Sequence, residues 1–175
     1  MISIIYVFWM YVFLFAVIGM LRGWAKELLV AFAVVVALTL NFLLKRYAPV
    51  VSTLPDTDVT LFWIREIVLI TLVYFGYQTV ISMARLQAGA RRERLQDSLF
   101  GFVLGGINGY LVAGSTWFYV DAANYQFGNI FLAPPAELLP KIEAMVAILP
   151  PHVLGEPTIY FASVVVLIFI LVVYV

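Results

Sequence analysis

The sequence has no cysteine and a single histidine, His152. The first absence excludes disulfides, thiolate nucleophiles and thiolate metal sites. A lone histidine in PPHVLG does not supply the ligands of a metal centre, and it lies between the apolar runs, so no spanning segment offers a histidine to a haem or chlorophyll. Charge is equally scarce: Asp, Glu, Lys and Arg make up 11% of the chain, against about 25% in a soluble domain. Ten basic residues balance ten acidic ones, so there is no basic surface for nucleic acid. The sequence also lacks a nucleophile with a base, an HExxH, carboxylates paired at suitable spacing and a nucleotide loop, which speaks against an enzyme.

Apolar residues fill the space that charge leaves. They make up 65% of the chain, and the mean hydropathy is +1.06. No soluble fold of 175 residues could bury that much. The composition predicts an all-α polytopic membrane protein of four to five spanning helices in one bundle. A span needs about 20 mostly apolar residues, and the runs lie at 2–21, 28–44, 61–84, 98–120 and 158–175. The first lacks a basic leader and a small-residue cleavage site, so it reads as a retained span. The second is short enough to be nearly upright or partly re-entrant. The last runs apolar to the final residue.

Basic residues predict the orientation. Arg22, Lys26, Arg85, Arg91, Arg92 and Arg94 follow the first and third spans, whereas Lys45, Arg46, Lys141 and Arg65 lie at the other side. That asymmetry favours an outward N-terminus. The connection YAPVVSTLPDTDVT reads as an irregular outer loop. The larger outer connection, residues 121–157, contains PKIEAMVAILPP, where Ile142, Met145, Val146 and Leu149 form one apolar stripe. A short helix in the headgroup layer is the preferred placement; a helix packed over the bundle ends fits the stripe equally well. Tyr6, Trp9, Tyr11 and Trp63 suit an outer interfacial belt and Trp24 an inner one, although such aromatics can also contact lipid, quinone or pigment. No cofactor is implied.

Five of eleven glycines crowd into residues 94–114. Gly101, Gly105 and Gly109 recur every four residues, and Ala113 continues the row, so the spacing predicts a smooth helix face for close packing. A phosphate cradle is disfavoured, because neither a preceding strand nor the lysine and hydroxyl of a P-loop is present. Asp97 suits the N-terminal cap of this helix, and Asn108 suits a hydrogen bond across a helix interface. Arg22, Lys26 and Glu27 lie at the turn after the first span. They either anchor it among lipid phosphates or dock it against Asp97 and residues 85–97. Arg65-Glu66, one turn into the third span, is shallow enough to snorkel outward.

Two of these features together resemble the colicin V production protein family. They are GMLRGWAKELL after the first span and D-x-x-x-G-x-x-x-G-x-x-x-G at Asp97, Gly101, Gly105 and Gly109. The resemblance covers roughly residues 1–150 and implies a small bacterial inner-membrane protein, usually of four spans. LLPKIEAMVAILPP is similar to the family's proline-containing segment. The chain departs from the pattern in lacking an aspartate near its start, in carrying Asn108 where many members have a basic residue, and in its fifth apolar run. Residues 1–157 would then be the family's membrane domain, and 158–175 an additional helix.

Two functions follow. The scarcity of polar groups and of any buried charge pair favours a non-catalytic accessory subunit, packed in the bilayer against other membrane proteins or itself, as in a photosynthetic or respiratory complex. The alternative is a protein of toxin or small-molecule export, which the resemblance implies and which would use Asn41, Gln78 and Asn108 as its main polar groups within the spans.

Overall fold

The structure, a computed structural model, describes residues 3–78, 94–127 and 134–174. Its regular elements are all helical. Helix α1, Ile4–Arg22, starts where the Ser3 hydroxyl accepts a hydrogen bond from the Ile5 amide at 3.4 Å. It ends at Gly23, whose φ of +87° is disfavoured for residues with a Cβ. Helix α2, Trp24–Tyr47, begins at once. RGWAKE is therefore not a loop: one glycine joins two helices, with Arg22 in the first and Lys26 and Glu27 in the second. Starting at Trp24 gives α2 24 residues, about 36 Å, so it is long enough to cross a bilayer and is not the short segment that the apolar run suggests.

The connection after α2 contains a single helical turn, α3, Pro49–Ser52, with proline in its first turn. Helix α4, Val59–Gln78, follows Asp58, whose carboxylate accepts the Thr60 amide at 2.6 Å. That amide bond holds Asp58 below the usual carboxylate range. Helix α5, Arg94–Ala122, opens four residues earlier than the apolar run suggests. After a 3₁₀ turn at Ala136–Leu138 come α6, Leu139–Val146, the single turn α7, Pro150–Val153, and α8, Thr158–Tyr174. Residues 79–84 of the expected third span, with Arg85, Arg91 and Arg92, lie outside the described residues.

Helices α1, α2, α4 and α5 are each long and apolar enough to cross a membrane; α8 is shorter and also apolar. This is a multi-pass membrane protein. Helix α1 packs along α5, α2 packs against both α4 and α5, and α8 lies on α2. Val30, Val34, Ala37 and Leu38 of α2 form the main core with Phe62, Leu69 and Val73 of α4 and Tyr119 and Val120 of α5. A second cluster joins Ile5, Phe8 and Trp117 to Ile142 and Leu149. The stripe of α6 is thus turned onto the ends of α1 and α5, the bundle-end placement, where it covers apolar side chains that would otherwise face the headgroups. Tyr6, Trp9, Tyr11 and Trp63 are exposed on the outer surface of the bundle, where ring and polar tip suit an interface.

Candidate functional site

Close backbone approach creates the setting. Gly101, Gly105 and Gly109 all face α1. A Cβ on Gly105 would lie 2.9 Å from the Gly19 Cα, and one on Gly109 would lie 2.8 Å from the Val12 Cα; one on Gly101 would meet the Gly19 carbonyl. Ala113 packs beside the second apolar cluster. At the α1–α2 junction, a Cβ on Gly23 would lie 2.7 Å from an Asp97 carboxylate oxygen. Asp97 accepts the Trp24 amide at 3.1 Å.

That contact revises the expected role of Asp97. Because α5 is already helical at Arg94, Asp97 lies inside the helix and is not its N-cap. Its carboxylate instead serves the unpaired first-turn amides of α2, where the helix dipole favours negative charge. Asp97 therefore ties the start of α5 to the start of α2. Lys26 is exposed and stands apart from this contact.

One turn further into α2, Glu27 is fully buried. Its carboxylate pairs with Arg22 at 2.8 Å. Arg22 also donates to the Tyr77 carbonyl at 3.0 Å and stacks 4.2 Å from the Tyr77 ring centre. Asn108 donates to the Glu27 carboxylate at 2.8 Å and to the Glu27 carbonyl at 2.9 Å. Both acceptors lack hydrogen, so the amide nitrogen of Asn108 must face them, and its oxygen is left with no partner. A buried charge pair held by α1, α2, α4 and α5 was not expected from the sequence. Breaking such a pair by removing one partner costs about 3–5 kcal/mol.

A second polar centre lies towards the other end of three of these helices, α2, α4 and α5. Glu66 of α4 is 4% exposed. Its carboxylate accepts the Thr116 hydroxyl at 3.2 Å, and its other oxygen has no partner. Asn41 of α2 donates to the Arg65 carbonyl at 3.0 Å and contacts the Tyr119 hydroxyl at 3.4 Å. The expectation that this pair turns away from the core fits Arg65, which reaches Asp56 in the connection between α2 and α4 at 2.9 Å. It fails for Glu66, which turns inward to α5: its register with Phe62, Leu69, Val73 and Gly76 puts it on the buried face. Glu27 and Asn41 are 14 residues apart on α2, about 21 Å, and Val30, Val34, Ala37 and Leu38 fill the interval.

Intramembrane ionisable groups are costly and characteristic of binding or proton-handling sites. The two carboxyls are groups of the kind that exchange protons, and the unpartnered amide oxygens of Asn41 and Asn108 are acceptors only. His152 is exposed, and among the described residues no group of three or more His, Cys, Asp or Glu gathers to hold a metal. Gln78 lies exposed at the end of α4.

Residues 5–129, more than two thirds of the chain, match the family described as Colicin V production protein. That stretch includes α1 to α5, the glycine face and both polar centres, and ends before α6. Neither the curated proteins nor the solved structures include a match to this chain. The helical architecture, the order of the motifs and the extent of the match agree: the chain belongs to the colicin V production protein family.

Proposed function

We propose that this chain is an inner-membrane protein that takes part in export or transport of a toxin or small molecule, without catalysing a covalent reaction. The observation that carries the reading is the pair of buried carboxyl groups, Glu27 and Glu66, at opposite ends of the α2–α4–α5 core. Such groups are costly to retain in a purely structural bundle. Family membership supports the same reading. The accessory-subunit reading leaned on the absence of a buried charge pair, and Arg22–Glu27 removes that support. In the proposed arrangement the N-terminus faces outward, the bundle sits among lipids and copies of itself or other membrane subunits, and α8 is an additional span.

The test uses a colicin V-producing strain that lacks this protein. Restoring the full chain at native abundance is expected to restore colicin activity in the medium, scored on a sensitive lawn. Unchanged release, together with stable co-migration in a large enzyme complex after mild-detergent extraction, would return the protein to the accessory class.

A further inference from the structure

A cleft of about 130 Å³ opens between α2, α4, α5 and the residues after α7. By water-sized volume it would hold on the order of ten waters, which suits a small polar headgroup. Its deeper wall is apolar, with Leu38, Phe42 and Phe118. Lys45, Arg65 and Asn41 are among its polar lining residues.

Charge and hydrogen bonding define what would fill it. Lys45 and Arg65 share one carboxylate, Asp56, at 3.7 and 2.9 Å. Two cations against one anion leave one positive charge unbalanced at the edge. Glu66 does not offset it within the cleft, since its carboxyl turns to Thr116 and is not part of the lining. The Lys45 ammonium donates to the Leu54 carbonyl, and both cationic heads carry more donors than these contacts use. Asn41 is 5% exposed, and its amide nitrogen is committed to the Arg65 carbonyl. Its oxygen has no partner and is closed off from the cleft surface, so the cationic heads of Lys45 and Arg65 are what a ligand would meet.

Depth decides the rest. Lys45 is two residues from the end of α2, and Arg65 six from the start of α4, about 3 and 9 Å along the axes. Their charges lie at headgroup level, with the phenylalanines towards the acyl region. We infer that this cleft seats the headgroup of an anionic glycerophospholipid such as phosphatidylglycerol. The phosphate lies against Lys45 and Arg65, and the glycerol backbone and first acyl carbons rest on Phe42 and Phe118. Free phosphate shares the charge and lacks the apolar part. The site is independent of whether the protein exports anything.

The experiment titrates delipidated full-length protein in mild detergent with short-chain phosphatidylglycerol, short-chain phosphatidylcholine or inorganic phosphate. The readouts are melting temperature and lipid retained in native mass spectrometry. Phosphatidylglycerol should raise the melting temperature by several degrees over phosphatidylcholine, and phosphate should leave it unchanged. Lys45→Gln, at a half-exposed helix end, should weaken phosphatidylglycerol binding by about tenfold with the fold intact. Equal shifts from phosphatidylcholine, an equal shift from phosphate, or unchanged affinity in Lys45→Gln would each overturn the assignment.

Discussion

Substituting alanine at two adjacent glycines of α5 should give opposite results. At Gly105 a Cβ would lie 2.9 Å from the Gly19 Cα and 3.1 Å from its nitrogen, and would press on the Phe15 carbonyl. Carbon contacts prefer about 3.5–4.0 Å, so α1 and α5 must part by about 0.5–1 Å, a gap that forfeits about a quarter to a half of the contact energy there. Overpacking of this kind costs about 1–3 kcal/mol. The obstacle is backbone, which cannot rotate away, so the upper part of that range applies. Better helix propensity returns about 0.8–1 kcal/mol, leaving Gly105→Ala destabilised by about 1–2 kcal/mol. At Gly106 the nearest atom is the Ala16 Cβ at 3.6 Å, an ordinary contact. Gly106→Ala should therefore be neutral or up to about 1 kcal/mol more stable. Unfolding of the purified protein in mixed micelles, titrated with a denaturing detergent, measures both. Equal stability of the two variants would refute the account of the α1–α5 seam.

Three other outcomes follow from named contacts. Asp97→Ala removes the acceptor of the Trp24 amide and should cost about 1–2 kcal/mol, with Asp97→Asn recovering most of it; the same unfolding assay decides. Arg22→Leu leaves Glu27 buried without its cation and should cost about 3–5 kcal/mol. In a double-mutant cycle, adding Glu27→Leu should recover part of that loss, and strict additivity would contradict a coupled pair. Tyr125 lies in the turn after α5, where burial pushes its hydroxyl up to about 12, with the Trp117 indole bond opposing the shift. A raised folded value gives stability that is complete below pH about 10 and lost as pH rises towards 12. The Tyr125→Phe variant should show a flatter decline over that window; an unchanged profile would count against the buried phenol.

Much of the architecture was legible because a spanning helix needs length and apolarity, and both can be read directly from the chain. The glycine face was legible for a related reason: glycines at every fourth position serve close backbone approach, and here they meet Gly19, Phe15 and Val12. The polar centres were harder to read. In a soluble helix the polar face marks the outside, but α2 and α4 are apolar all round, and lipid and protein interior are alike to a valine. Periodicity alone therefore did not say which side was buried. One signal was present: Glu27 and Asn41 share the stripe of Val30, Val34 and Leu38, and Glu66 shares that of Leu69 and Val73. Gly23 hid the rest. A single glycine with positive φ turned an expected loop into a junction between helices, carrying Glu27 from the membrane surface into the core.

The transport reading rests on the buried carboxyls, and Glu66 tests it most directly because its one described protein donor is the Thr116 hydroxyl. Glu66→Gln keeps the shape and removes the acidic group. The measurement is the rate of colicin V release from producing cells that carry wild-type protein or Glu66→Gln at equal membrane abundance. Gln still accepts from Thr116 but can neither ionise nor exchange a proton, so a step that needs the carboxyl should slow by about tenfold or more, at least about 1.4 kcal/mol of barrier. Release at the wild-type rate would contradict the account.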